Sequence, residues 1–404
     1  MTRWNKSYVS FAALIAGLCI ASPTAYAQSN EAPIKIGELT DMSSAYSDLS
    51  GSLSVAAAQM AIDDFGGQVL NRKIQLIVAD HQMKPSVGSA LATEWLDRDG
   101  IDAIFGVPAS SVAMAVQEIA RNRPEKVVVY TIANTSDLSG KACAANTIQW
   151  SPDFYPLAST AAAYASKDGK ESFLLVPDTA AGDSAQRAAA AGAEKAGGKL
   201  SGTVRVPQAS GDVSSFVLQA QSTGASNLLI GFGGSDMSNV VKAANQFGLK
   251  DSGVSIYSLG LYSTDVDAMG LDLAQGIIFS TPFYPRMNAE AAAWVKRFHD
   301  KTGRFPAFSH VADYEAVTHY LRAVEKAGST EASKVIPAMR ELPVNSFAIK
   351  DGKIRADNHL VRPMYIGKIK PSSEAPDDYM ELLETVSADQ AYSSLDKSAC
   401  PLAK

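Results

Sequence analysis

From residue 34 onward the chain alternates short apolar runs with amphipathic stretches, and this rhythm limits the possible folds more than any other feature. Residues 34–39 read as a strand and 55–65 as a helix, and strand signals recur at 74–78, 103–106 and 127–130. Helical stretches such as 87–97 and 112–121 separate them. Strictly alternating strands and helices predict parallel strands joined by right-handed crossovers, with helices on both sheet faces. A second set begins near Tyr155, with strands at 172–176, 227–230 and 254–258 and helices at 182–196, 214–221 and 237–247. In the last of these, Val240, Val241, Ala244 and Phe247 share one face. A further strand at 276–280, helices at 290–301 and 311–327, and strand pieces at 353–355 and 364–367 exceed what a second lobe needs, so the chain is expected to return to the first. The expected architecture is α/β, with two Rossmann-like, doubly wound parallel-sheet lobes joined by several crossovers. Lobe 1 takes residues 28–146 and 281–344, and lobe 2 takes 147–280 and 345–404.

The amino terminus follows a different pattern. Arg3 and Lys6 precede an apolar run over 11–21, then Pro23 and the small-residue site Ala25-Tyr26-Ala27, the arrangement of a secretory signal peptide cleaved after Ala27. The run is shorter than the ~20 residues of a membrane-spanning helix. A lipid anchor on Cys19 is the weaker reading, because Leu18 stands where a small residue is needed. Export places the protein in the periplasm, an oxidising compartment, and loss of the leader leaves Cys143 and Cys400 as the two cysteines. They form either one disulfide or two unpaired buried thiols. The formal charge of −6 argues against nucleic acid as a partner.

In open α/β sheets ligands bind beyond the carboxyl ends of the strands, so the loops there carry the functional expectation. After Phe105 comes Gly106-Val107-Pro108-Ala109-Ser110-Ser111, which opens a helix whose free N–H groups and dipole suit an anion. After Tyr130 comes Thr131-Ile132-Ala133-Asn134-Thr135-Ser136-Asp137, also rich in hydroxyls. Together the two loops can grip a carboxylate with uncharged donors, although Ser110 or Ser136 alone could be an ordinary helix cap worth ~1 kcal/mol. A third loop, Gly231-Phe232-Gly233-Gly234-Ser235-Asp236, lacks the full dinucleotide-binding spacing and lies in the second half. Its glycines, Gly234 among them, are expected to let backbone approach a ligand or the opposing lobe.

The order and spacing of Ile36-Gly37-Glu38-Leu39-Thr40-Asp41-Met42-Ser43, Ala57-Ala58-Gln59-Met60-Ala61, the two hydroxyl loops, Leu273-Ala274-Gln275-Gly276 and Ala312-Asp313-Tyr314-Glu315-Ala316 resemble one family. It is the type I periplasmic binding proteins of the branched-chain amino acid (leucine/isoleucine/valine-binding) group, and the resemblance covers nearly the whole chain after the leader. It implies that Ser110 and the Thr135 hydroxyl and N–H hold a ligand carboxylate, that Ala133 makes a backbone contact, and that Tyr46 walls the pocket. It also implies a second-lobe aromatic where this chain has Ala181. An acid pairing with a ligand ammonium is implied within Ser258-Leu259-Gly260-Leu261-Tyr262, where this chain has none. Asp236 and Asp265 are the nearby alternatives. A buried ammonium without a counter-charge is costly, so an aromatic or aliphatic carboxylate is expected before an amino acid. Its distal end would pack on Tyr262, Phe232, Phe283 or Tyr284, which could equally be plain core.

No HExxH, GxSxG or GxxxxGK[ST] motif is present, and His310 and His319 stand nine residues apart. The expectation is a monomeric binding protein without cofactor, metal or catalytic residue. Its partners would be a small-molecule ligand and an ABC permease with its ATPase. A ligand-sensing receptor subunit is the alternative; a chain closing at Lys404 without an output domain favours transport.

Overall fold

A computed structural model describes residues 1–4, 32–44, 46–207, 210–371 and 377–404. Most of the expected leader, with Cys19 and the processing site at Ala27, lies outside these residues.

The first sheet is built from β1 (Ile34–Thr40), β2 (Gln68–Val69), β3 (Arg72–Asp80), β4 (Ala103–Gly106), β5 (Val127–Tyr130) and β6 (Thr147–Gln149), in the order β2-β3-β1-β4-β5-β6. All neighbours are parallel except β2 with β3. Both faces are buried, and β5 shows why its four apolar residues run without a polar break. Val127 and Val129 point into one core with Ile34, Ile36 and Phe105, while Val128 and Tyr130 point into the other with Leu39 and Ile104. The helices α1 (Gly51–Asp64), α2 (Pro85–Glu94) and α3 (Ser110–Arg121) follow their strands as crossovers; α2 and α3 close the second of these cores through Ala92, Val112 and Val116.

The chain then passes to the second lobe through α4 (Phe154–Ala165), β7 (Glu171–Pro177), α5 (Ala180–Lys195), β8 (Lys199–Val206), α6 (Ser214–Ser222), β9 (Asn227–Ile230), α7 (Gly234–Gln246), β10 (Ser255–Ser258), α8 (Ser263–Met269), α9 (Leu271–Ala274) and β11 (Ile278–Thr281). It returns through α10 (Ala289–Thr302), α11 (Phe308–Ala327) and α12 (Ala332–Glu341) to cover the first sheet, with Ala316, Val317, Tyr320 and Val335 packed on its core. A small hairpin, β12 (Lys353–Ile354) with β13 (Leu360–Val361), precedes β14 (Met364–Ile369), β15 (Met380–Val386) and the short α13 (Ala388–Ala391). The second sheet runs β15-β14-β11-β10-β9-β7-β8, and β14 and β15 add antiparallel to its parallel part. This is the expected pair of doubly wound lobes.

Strand pairing moves three expected boundaries. Thr147–Gln149 belongs to the first sheet because it extends β5, and Thr281 still pairs with Tyr365 in the second. Residues 345–361, expected in lobe 2, pack Ile349, Ile354 and Leu360 into the first lobe's core. The lobes are therefore joined by three short crossovers, after β6, after β11 and after β13. Where the last two meet, Arg362 pairs with Glu315 of α11 at 3.1 Å and also donates to the carbonyls of Pro282 (3.1 Å) and Ala348 (2.7 Å). The tail after α13 returns to the first lobe, where Cys400 is bonded to Cys143 with Cα atoms 5.6 Å apart. The cysteines are a disulfide, not two free thiols.

Candidate functional site

In each sheet the order of strands reverses at one place, between β1 and β4 in the first and between β7 and β9 in the second. Loops leaving the carboxyl ends there diverge and open a crevice.

On the first lobe, Asp41 builds the loop after β1. Its carboxylate accepts the N–H groups of Ser44 and Tyr46, both at 2.9 Å, and of Ser43 at 3.4 Å. Ser50 donates to the Tyr46 carbonyl at 2.8 Å, and Thr40 accepts the N–H of Gly51 at 2.7 Å where α1 begins. Tyr46 is thereby presented from a loop that closes on itself.

The loop after β4 is held in an unusual backbone state. Gly106 (φ +86°), Val107 (φ +57°) and Ala109 (φ +72°) all have left-handed backbone, which costs a non-glycine residue of order 1–3 kcal/mol. The turn is pinned by the N–H of Val107 to the carbonyl of Leu39 at 2.8 Å. It delivers α3 with Ser110 and Ser111 as the first two residues, half-buried and exposed respectively. The residue before the helix is Ala109 and no side chain caps it. Ser110 is thus no ordinary cap, and the first-turn N–H groups lack intrahelical acceptors.

The neighbouring loop after β5 is stitched down by side-chain amide donors. Gln149 donates to the carbonyls of Ala133 (3.2 Å) and Thr135 (3.1 Å), and Asn134 donates to the carbonyl of Pro152 at 2.9 Å. The Thr135 hydroxyl oxygen accepts the N–H of Asp137 at 3.3 Å, which leaves its own O–H to donate. Thr131 donates to a carboxylate oxygen of Asp313 on α11.

From the second lobe, Tyr262 stacks on Phe308 with ring centroids 4.5 Å apart and reaches Asn134 with its hydroxyl at 3.4 Å. Burial first, then the charges of Asp265 and Tyr46, hold its phenol far above the ordinary range. Burial likewise raises the Tyr46 phenol, with Asp236 and then Asp41 adding to it. The charge of Asp236, in the first turn of α7, thus reaches Tyr46, and that of Tyr46 reaches Tyr262. Gly234 has left-handed backbone (φ +62°), but its N–H is committed to Asp265 at 2.7 Å, and the other oxygen of Asp265 accepts the N–H of Tyr262 at 3.1 Å. Burial lifts the Asp265 carboxyl to about 6 against the pull of these two bonds. Asp265 thus braces two loops, one of them the glycine loop expected to let backbone approach a ligand or the opposing lobe.

The other expected aromatics divide differently. Phe232 lies in the second lobe's core, Phe283 packs edge-on against Phe347 at 6.3 Å, and Tyr284 against Tyr365 at 5.4 Å. Ala181 lies in the first turn of α5, whose start is fixed by Thr179, which accepts the N–H of Gly182 at 3.3 Å, and by Arg205, which pairs with Asp178 (2.7 Å) and Asp183. A separate groove of about 270 Å³ lies beside the tail, lined by Asp153, Tyr155, His359 and Tyr392 among others, and holds the Arg355–Asp357 pair at 2.7 Å. Sequence reasoning missed Asn134, Gln149, Glu38 and Asp313. The signal for Glu38 was present as an acid inside the apolar run of β1.

Several known proteins are similar to this chain. The family model described as periplasmic binding protein matches residues 33–375. A Burkholderia xenovorans protein described as a branched chain amino acid ABC transporter periplasmic ligand-binding protein is 35% identical, with 92% of this chain and 100% of that one covered and a TM-score of 0.86. The Leu/Ile/Val-binding protein homolog 6 of Brucella suis is 24% identical over 89% of this chain and 92% of its own length. An ABC transporter solute binding protein of R. palustris, in complex with 4-hydroxybenzoate, shares the fold at 21% identity, with 90% and 99% of the two chains covered and a TM-score of 0.80.

Proposed function

The chain belongs to the periplasmic binding protein family, and from that premise we propose that it captures a small carboxylate-bearing solute between its lobes, an aromatic or aliphatic carboxylate in preference to an amino acid, and delivers it to an ABC permease. The observation that supports the ligand class is the left-handed turn at 106–109, after which α3 begins uncapped with Ser110 and Ser111, while in the next loop the Thr135 hydroxyl keeps its O–H to donate. Such a site holds an anion with uncharged donors.

In this reading the solute carboxylate docks on Ser110, Ser111, the backbone at Ala133 and Thr135. The second lobe then swings over it, and Tyr46, Asp236 and Tyr262 seal the crevice. Excluding water strengthens each hydrogen bond, and the ligand acts by favouring the closed member of an open–closed balance. Asp265, occupied by two backbone N–H groups, is a poor counter-charge for a ligand ammonium, so of the two acids Asp236 is the one that an amino-acid ligand would need. The relative found with 4-hydroxybenzoate supports a fold able to host such a solute.

The test is a thermal-shift panel of benzoate, 4-hydroxybenzoate, leucine and valine, followed by calorimetry on Ser110→Ala with Thr135→Ala. The benzoates should raise the melting temperature more than the amino acids. The double variant should lose about 2–4 kcal/mol of affinity, with the ligand-free melting temperature nearly unchanged. A strong, selective response to leucine would reverse the ligand class, and undiminished affinity in the variant would remove the site.

A further inference from the structure

The docking loops rest on two acids that the proposed capture does not use. Glu38 on β1 and Asp313 on α11 are both completely buried. Neither oxygen of the Glu38 carboxyl has a hydrogen-bond partner, nor has the second oxygen of Asp313. The charge of Asp313 reaches Glu38, and the residues that the two acids meet, Thr131 and Gly106, are joined by the N–H of Thr131 to the carbonyl of Gly106 at 3.2 Å. Each also touches one docking loop from below. The Glu38 oxygen lies 2.4 Å from where a Cβ on Gly106 would stand, so only glycine fits over it, and Asp313 receives the hydroxyl of Thr131.

Among the described residues no cation acts on either carboxyl. From α1 comes the Ser54 hydroxyl, from β4 Gly106, and from the loop after β5 the Thr131 hydroxyl. At the end of β3, Asp80 is committed to Met42, Ser43 and Gln82, and the next residue, His81, to the N–H of Met83. Asp41 is occupied by its loop, and His310, one turn before Asp313, accepts the N–H of Ala307 and is kept neutral by burial. Two bare carboxylates in such surroundings would repel each other without screening. Burial and then Asp313 hold the Glu38 carboxyl well above its usual range, and burial raises Asp313 to about 7 although Ser54 and Thr131 favour its charge.

We propose that Glu38 and Asp313 share one proton and so form a proton-linked brace that positions the 106–111 and 131–135 loops together. With the proton present the acids attract and draw β1 and α11 together under both loops. Once it is lost the pair repels, and the loops lose their common support. The brace rests on the proposed function only in that these are the docking loops; its test needs no ligand.

Carboxyl carbons of the full-length protein, followed by NMR from pH 4 to 9, should show two coupled titrations, one of them above pH 6. Backbone amides of 106–111 and 131–135, after correction for intrinsic exchange, should lose protection at least about threefold between pH 6 and 8. That loss should vanish in Glu38→Gln or, if that variant fails to fold, in Asp313→Asn. Both carboxyls ionised at pH 5, or loop protection with the same pH profile in protein and folded variant, would overturn the proposal. Failure of the ligand panel would leave these results unaffected, so the two proposals fail separately.

Discussion

The Arg362–Glu315 pair offers a decisive perturbation, because both side chains are almost fully buried and Arg362 ties together the crossover at Pro282, the segment at Ala348 and helix α11. Replacing Arg362 by Met leaves Glu315 without its counter-charge and strips a donor from the Pro282 and Ala348 carbonyls. Breaking a buried pair from one side costs about 3–5 kcal/mol, and two orphaned acceptors place Arg362→Met at the upper end. Burial already raises the Glu315 carboxyl, and the loss of Arg362 removes the largest force lowering it. In the variant Glu315 therefore stays protonated to higher pH when folded than when unfolded. Its added instability is small near pH 4 and grows as pH rises toward the raised folded value, by up to about 1.4 kcal/mol per pH unit. Urea unfolding of the single variants and of Arg362→Met with Glu315→Gln, at pH 5 and pH 8, measures this. The double variant should recover at least about 2 kcal/mol relative to the sum of the singles. A cost for Arg362→Met below about 1 kcal/mol, or simple additivity, would refute the view that the crossovers are welded by this charge pair.

Gly106→Ala should destabilise the ligand-free protein by at least about 2 kcal/mol, read by urea unfolding, because the new methyl meets the Glu38 oxygen at 2.4 Å and the φ of +86° disfavours any side chain. Replacing Cys143 and Cys400 by Ser should cost about 2–5 kcal/mol in denaturant, since the bond spans 257 residues. Tyr262→Phe removes the cross-lobe bond to Asn134 and should shift X-ray scattering of the ligand-free protein toward a larger radius of gyration, with little change in melting temperature.

Much of this architecture was legible because β4, β5 and β9 are short apolar runs bounded by turn residues, and their limits match the sequence reading. Edge strands were not. Lys199–Val206 and Met380–Val386 each have one neighbour and a wet face, so polar residues interrupt the apolar pattern. The lobe boundaries were misjudged for a related reason: β6 and the 353–361 hairpin are two- or three-residue pieces whose place depends on pairing with distant chain. At the site, the hydroxyl loops could be found from composition, but the left-handed turn before α3 could not. Val107 and Ala109 carry no local preference for that state, and tertiary bonds to Leu39 impose it. The commitment of Gly234 to Asp265 is likewise a contact over 31 residues that no local pattern announces.

The turn at 106–109 has an evolutionary corollary. In the proposed capture, part of the hold on the anion falls to main-chain amides at the start of α3, which every residue except proline carries, so that part outlasts an exchange of side chains there. Descendants of this chain could then turn to new nutrients by altering Tyr46, Asp236 and Tyr262 while the backbone share of the hold is inherited.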